Sequence, residues 1–276
     1  MVLPRHILRA ASAGDIELVE EWLNDAAPGS VNDRDEWGAT LFTTALGYVI
    51  EERHVDFARW LIARGADVNL GNREDMLPLH YACYPGDCAS SMVSLLLESG
   101  ARVNARTNSD GLTPLGQLIE EFDYQLDNLL EDEAHDYEEI SEEDHAAIAA
   151  AIQREVSRSG LEIIKLLLKA GACIDHCKGN LSAEVCMKMF LSDRPHYAND
   201  VSFARCREIV AGVRAHGSYK AYVREPHRQF LRLRSLLVRG RVKVRGRTKD
   251  SRCLERIARL PNGACWHVIS FWRDAG

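Results

Sequence analysis

The stretch Leu77-Pro78-Leu79-His80-Tyr81-Ala82, followed after twelve residues by Leu95-Leu96-Leu97-Glu98-Ser99-Gly100-Ala101-Arg102-Val103-Asn104, decides how this chain folds. Proline suits the first turn of a helix, because its φ is already helical and its missing N–H has no intrahelical partner there. A short helix is therefore predicted to start at Pro78. The leucine run closes a second helix, and Gly100 can take the left-handed conformation that caps it without a Cβ penalty. The chain then turns through Ala101 to Asn104 into whatever follows.

The same pieces recur. Trp60-Leu61-Ile62-Ala63-Arg64-Gly65-Ala66-Asp67-Val68-Asn69 and Leu166-Leu167-Leu168-Lys169-Ala170-Gly171-Ala172-Cys173-Ile174-Asp175 repeat the closing pattern. Gly65 and Gly100 stand 35 residues apart, whereas Gly100 and Gly171 stand 71 apart, so the last interval holds one unit and an insertion of similar length. Openings fall at Gly38-Ala39-Thr40-Leu41-Phe42, at Asp75-Met76-Leu77-Pro78 and at Gly111-Leu112-Thr113-Pro114-Leu115, where Thr113 is a helix N-cap. A helix pair of about 25 residues has too little apolar surface to fold alone and must share a core with its neighbours. The reading is an all-α solenoid of about five helix pairs with a helical C-terminal extension.

These residues resemble the ankyrin repeat family, whose Gly-x-Thr-Pro-Leu-His opening and Leu-Leu-x-x-Gly-Ala-x-Val-Asn close are matched almost whole from Leu77 to Asn104. Leu8 to Leu23 looks like a first repeat without its Thr-Pro start. Asn180 to Gly217 looks like a worn last one, with Leu181-Ser182-Ala183 opening a helix and Ile209-Val210 near the end of another. The resemblance covers 1–217, interrupted by an insertion at 119–160. The second repeat departs from the pattern with Leu41, Phe42 and Thr43 where Pro, Leu and His are usual, and the third has Asp75 in place of the opening glycine. The likeness implies protein binding through hairpin tips and the concave face of the first helices, an implication of fold alone that names no ligand. The tips are Asp35-Glu36-Trp37, Asn72-Arg73-Glu74 and Asn108-Ser109-Asp110. Trp37 offers much contact area at low entropic cost; alternatively it folds back over the neighbouring hairpin.

Composition agrees with a globular protein. Of 276 residues 46% are hydrophobic and 27% charged, and no apolar run approaches the roughly 20 residues that span a bilayer. The start of the chain lacks the pattern of a secretory signal, and eight scattered cysteines suit a reducing compartment, so cytosol or nucleus is expected and a membrane is not. Charge is split. Residues 1–204 hold 16 Lys/Arg against 36 Asp/Glu, and residues 205–259 hold 17 against 4, so the two parts are expected to attract each other. Ile119 to Asp144 carries 13 carboxylates and no Lys or Arg. Such a run is a solvated loop, a dock for a basic partner, or a competitor that folds onto the chain's own basic part. From Asp144 to Ala170 the apolar spacing predicts one long helix.

After Gly217, Tyr219 to Arg239 reads as a basic amphipathic helix, then a glycine-flanked basic linker, a short helix at Cys253 to Leu260, the break Leu260-Pro261, and an apolar end at Trp266 to Trp272. Over 230–272 this arrangement resembles the SOCS box that follows ankyrin repeats in substrate receptors of cullin-type ubiquitin ligases. Ser235, Leu236, Gly240 and Val244 match its adaptor-facing residues, with Gly240 in place of the usual Cys, and Leu260-Pro261 matches its cullin-facing pair. Leu-Pro before an Ile/Phe/Trp segment is also similar to the opening of an F-box. The partners implied are elongin or a Skp1-like adaptor. A helical cap packed on the last repeat is the plainer reading, and nucleic-acid binding by the basic stripe is disfavoured because its arginines alternate with aliphatic rather than aromatic residues.

Sites for chemistry are few. Cys173, His176 and Cys177 are close in sequence, but no second pair stands at finger-like spacing, so no metal is expected. His80 with Cys83 can be drawn as base and nucleophile; the family resemblance makes His80 a residue that hydrogen-bonds between loops. The chain is read as a non-catalytic protein-interaction scaffold without cofactors.

Overall fold

The computed structural model describes residues 3–27, 29–46, 51–122 and 142–239. The chain divides into two compact units, Met1–Arg214 and Ala215–Gly276. In the first unit the helices come in pairs: α1 (Arg5–Ala13) with α2 (Ile16–Asp25), α3 (Leu41–Ala45) with α4 (Glu52–Ala63), α5 (Pro78–Tyr81) with α6 (Ala89–Glu98), α7 (Pro114–Glu120) with α8 (Glu142–Lys169), and α9 (Ala183–Asp193) with α10 (Val201–His216). Among the described residues these are five pairs, against about five read from the sequence. The first helices stack in order, α1 on α3, α3 on α5, α5 on α7 and α7 on α9, while α4, α6 and α8 form a second row behind them.

Local sequence accounts for each start and stop. Thr113 accepts a hydrogen bond from the Gly116 N–H at 3.2 Å through its hydroxyl, with Pro114 as the first helical residue. Gly65, Gly100 and Gly171 have φ of 87°, 87° and 96°, the left-handed region that an L side chain resists. The irregular second repeat keeps its geometry by substitution. In the third repeat the Leu77 N–H donates to His80 Nδ1 at 3.0 Å; in the second, the Thr40 N–H donates to Thr43 Oγ1 at 2.8 Å, so Thr43 does locally what the missing histidine would do. Asp75 adopts φ 54°, the conformation that Gly38 and Gly111 take at the same point of their repeats.

The core runs continuously between the two helix rows through Ile7, Phe42, Phe57, Leu79, Leu96, Leu115 and Leu167, all at most 2% exposed. Each such side chain contributes about 1.5–3 kcal/mol by leaving water. Beyond α7 the core changes character. Phe122, Phe190, Tyr197 and Phe203 meet edge to face or tilted, with the Phe122 and Phe203 ring centroids 5.0 Å apart and Phe190 and Tyr197 5.2 Å apart. Arrangements of this kind add about 0.5–1.5 kcal/mol per pair to their burial. The segment 119–160, expected as an insertion, contributes Ile119, Phe122, Val156, Ser157 and Ser159 to this packed interior. Ser159 ties α8 to the loop before α6, accepting from the Gly86 N–H at 3.0 Å and donating to its carbonyl at 2.7 Å.

The second unit is described through α11 (Tyr219–Val238), the basic helix read from the sequence. Lys220, Arg224, Arg228 and Arg232 are exposed on it.

Candidate functional site

The hairpin tips are built by a repeated polar turn. Asp35 opens the first, its Oδ1 accepting from the N–H groups of Trp37 at 2.8 Å and Ala39 at 2.7 Å. Asn72 does the same in the next, accepting from Glu74 at 2.9 Å and Met76 at 3.0 Å, and its Nδ2 donates to the Tyr81 hydroxyl at 3.0 Å. Thr107 takes over in the third, where its hydroxyl accepts from the Leu112 N–H at 3.0 Å. The carboxylate of Asp35 and the amide of Asn72 are therefore engaged within their own turns, which the sequence reading, grouping them with the contact residues, did not anticipate. Glu36, Trp37, Arg73, Glu74, Asn108, Ser109 and Asp110 are exposed.

Neighbouring tips lean on one another. A Cβ at Gly38 would lie 2.9 Å from the Arg73 backbone nitrogen, and the Asn108 N–H donates to the Glu74 carbonyl at 2.9 Å. The tips thus form one braced ledge. Trp37 stands on it 69% exposed, so the alternative in which its ring folds back over the next hairpin is not adopted.

Behind the ledge, asparagines lock each repeat to the next. Asn32, Asn69 and Asn104 donate through Nδ2 to the carbonyls of Gly65, Gly100 and Gly171 at 3.0, 3.1 and 3.1 Å. Their Oδ1 atoms accept from the N–H groups of Asp67, Arg102 and Cys173 at 2.8, 2.8 and 2.7 Å. The sequence displays these asparagines as the last letter of the closing pattern, but not this role. At the next equivalent place stands Asp175, which pairs instead with Arg214 at 2.8 Å; Arg214 also grips the Glu184 carboxylate.

Histidines make the complementary link. His80 Nδ1 accepts from Leu77, so the ring proton sits on Nε2 and is donated to the Leu112 carbonyl at 3.1 Å. His80 is fully buried, and desolvation holds its pKa below the usual histidine value against the pull of its backbone partners. Both ring nitrogens are engaged, leaving none to act as a base toward Cys83. Burial pushes the Cys83 thiol well above its ordinary pKa, which keeps it protonated. Cys177 is pushed up to about 12, first by burial, and its Sγ faces the Cys173 carbonyl at 3.5 Å. Among the described residues, no three His, Cys, Asp or Glu side chains are gathered as a metal ion requires.

A family model for ankyrin repeats, in three copies, matches residues 7–107. Residues 7–107 are ankyrin repeats. Over 73 residues, 26% of its length, the chain is 34% identical to the human transient receptor potential cation channel subfamily A member 1, and it spans 6% of that relative. Ankyrin repeats are a protein–protein interaction module, in a family that is typically non-catalytic. Past residue 107 the stacking of helices continues, α7 packing on both α8 and α9, and Phe190 of α9 meets Phe203 of α10 with ring centroids 5.0 Å apart. Of the adaptor-type residues, Ser235 is half-buried and Leu236 is 37% exposed on α11; Gly240, Val244, Leu260 and Pro261 lie outside the described residues. None of the helices among the described residues is long and apolar enough to cross a membrane.

Proposed function

We propose that this chain is a non-catalytic docking scaffold whose contact surface is the ledge of hairpin tips, centred on Trp37 and continued through Arg73, Glu74, Asn108, Ser109 and Asp110. The observation that carries the reading is the exposure of Trp37 on a turn fixed by its neighbours. A large aromatic held rigidly in water loses little entropy on binding and gains its contact area in full. Asp35 and Asn72 serve as the framework that fixes the tips. His80, with both nitrogens satisfied and its thiol neighbour inert, serves packing rather than chemistry.

The test is affinity purification of the intact chain beside Trp37→Ala and Arg73→Glu/Glu74→Arg variants, followed by quantitative mass spectrometry. Partners retained by the intact chain and lost with these variants, at unchanged thermal stability, support the ledge. A partner set indifferent to all three substitutions overturns it.

A further inference from the structure

Beside Trp37 the first repeat forms a hollow lined by Leu3, Arg5, Leu8, Arg9, Glu36 and Trp37, together with the engaged Asp35. Arg5 and Arg9 lie four residues apart and so share one face of α1, where adjacent side chains sit about 5–6 Å apart at Cβ. The exposed surface of α1 presents Arg5, His6 and Arg9 and no carboxylate, within a region 1–204 that is strongly acidic overall. Of the two acids in the hollow, Asp35 is occupied by two backbone N–H groups, and Glu36 meets Arg5 at 3.3 Å with the two side chains 59% and 90% exposed. An ion pair so open to water is easily exchanged. Among the described residues, Arg9 makes no ion pair.

Resting on the reading of the chain as a docking scaffold, we infer that this hollow takes a linear peptide in which an Asp or Glu stands within about three residues of a large apolar side chain. The carboxylate bridges Arg5 and Arg9, whose planar forks suit it. The apolar neighbour lies on the Trp37 indole and Leu8. The two acids of the hollow balance its two guanidiniums in formal charge but are already engaged, Asp35 by backbone N–H groups and Glu36 by Arg5. Arg9, without an ion pair among the described residues, therefore chooses acid over base, and the exposed ring supplies the area that charge alone does not.

The experiment pans a phage library of random dodecapeptides on the full chain, then measures the enriched sequences as fluorescein-labelled synthetic peptides by anisotropy. The expected result is enrichment of acidic-plus-apolar sequences whose affinity falls at least tenfold in Arg5→Gln/Arg9→Gln and in Trp37→Ala, and less than twofold in Lys188→Gln, an exposed position outside the ledge. All four substituted positions are exposed, and thermal melts verify that the variants fold. Enriched peptides that ignore Arg5 and Arg9 but are lost with Arg73→Glu overturn this inference and leave the scaffold reading standing. No enrichment, together with no substitution-sensitive partner in the purification above, overturns both. A several-fold gain in peptide affinity on deleting 123–141 means that the chain's own acidic run competes for the seat, and overturns an external partner as its natural occupant.

Discussion

Asn69 reaches across a repeat boundary to hold Gly100 by its carbonyl at 3.1 Å, while its own side-chain oxygen receives the Arg102 N–H at 2.8 Å. One amide thereby satisfies a donor and an acceptor at the end of α6, where helical carbonyls lose their partners. Asn32 and Asn104 repeat the arrangement on either side. Asn69→Ala removes both bonds without opening a cavity, because the site is exposed. The expected loss is about 1–2 kcal/mol, near the sum of two ordinary hydrogen bonds. Asn69→Asp, which keeps the acceptor and loses the donor, falls between the two in urea unfolding.

Asp75 is the one described non-glycine residue with positive φ, at 54°, where the flanking repeats place Gly38 and Gly111. The left-handed region costs L-residues roughly 1–2 kcal/mol, and aspartate somewhat less because its short side chain tolerates it. Its exposed carboxylate makes no hydrogen bond or ion pair among the described residues. Asp75→Gly is therefore expected to stabilise the third repeat by about 0.5 kcal/mol and to raise Tm, despite the usual entropic penalty of glycine. A lowered Tm would mean that the carboxylate has a stabilising partner.

The contrast between these two positions shows what the sequence makes legible. Gly65, Gly100 and Gly171 announce helix ends because few other residues take their backbone conformation, and Pro78 and Pro114 announce helix starts for the converse reason; both are local requirements. The role of Asn69 is not local, since it is defined by Gly100, 31 residues away. Thr43 replaces a histidine through a hydrogen bond of the same shape but different chemistry, which a residue pattern records as a mismatch. Phe122 lies inside the carboxylate-rich run from Ile119 to Asp144, where composition points to solvent; it packs against Phe203 and against Gly160, whose added Cβ would meet its ring at 2.4 Å. Of the site, Trp37 was readable from position and size, whereas the turn-building work of Asp35 and Asn72 emerged only with the backbone.

His80 gives the stack a pH response with a fixed sign. Burial depresses its folded-state pKa below 6.5, so above that pH neither folded nor unfolded state is protonated and its contribution is fully present. As pH falls below 6.5 the unfolded chain takes up a proton that the folded ring refuses, and stability is lost until the lowered folded pKa is reached. Urea midpoints of the wild type are expected to fall from pH 7.5 to pH 5. His80→Gln cannot titrate, so its curve over the same interval is expected to be flatter, although lower at pH 7.5. Parallel curves would remove His80 as the source.

Gly116 occupies the place in Thr113-Pro114-Leu115-Gly116 where the third repeat has His80, and the chain closes directly on it. The Thr113 N–H donates to the Cys177 carbonyl at 2.9 Å, and a Cβ at position 116 would sit 2.1 Å from that oxygen. The obstacle is backbone on both sides and cannot be relieved by a rotamer change. Gly116→Ala is expected to cost about 3 kcal/mol, at the upper end of ordinary overpacking. Gly65→Ala serves as the comparison, since nothing lies within 4 Å of an added Cβ there and only φ opposes it. Its expected cost is about 1–2 kcal/mol.

Arg214 closes the series of inter-repeat links by a different kind of force, and salt separates the two. Asp175 follows Gly171 by the same four residues that separate Asn69 from Gly65 and Asn104 from Gly100, yet it answers to a guanidinium rather than to a glycine carbonyl. The Arg214 Nη2 atom donates to Glu184 at 2.9 Å, and this pairing holds the Glu184 carboxyl below the usual carboxylate range. The Arg214 side chain is 46% exposed, so water and ions screen the cluster and its worth is at most about 1 kcal/mol. Because the Glu184 pKa is depressed, that contribution is present above about pH 4.5 and is lost as pH falls through the folded value. Arg214→Ala is expected to lower stability slightly at 50 mM NaCl and not measurably at 1 M, where the Debye length shrinks to about 3 Å. Asn69→Ala, which removes neutral hydrogen bonds, is expected to cost the same at both salt concentrations. Equal salt dependence of the two variants would mean that the Arg214 cluster stabilises the last repeat by packing and not by charge.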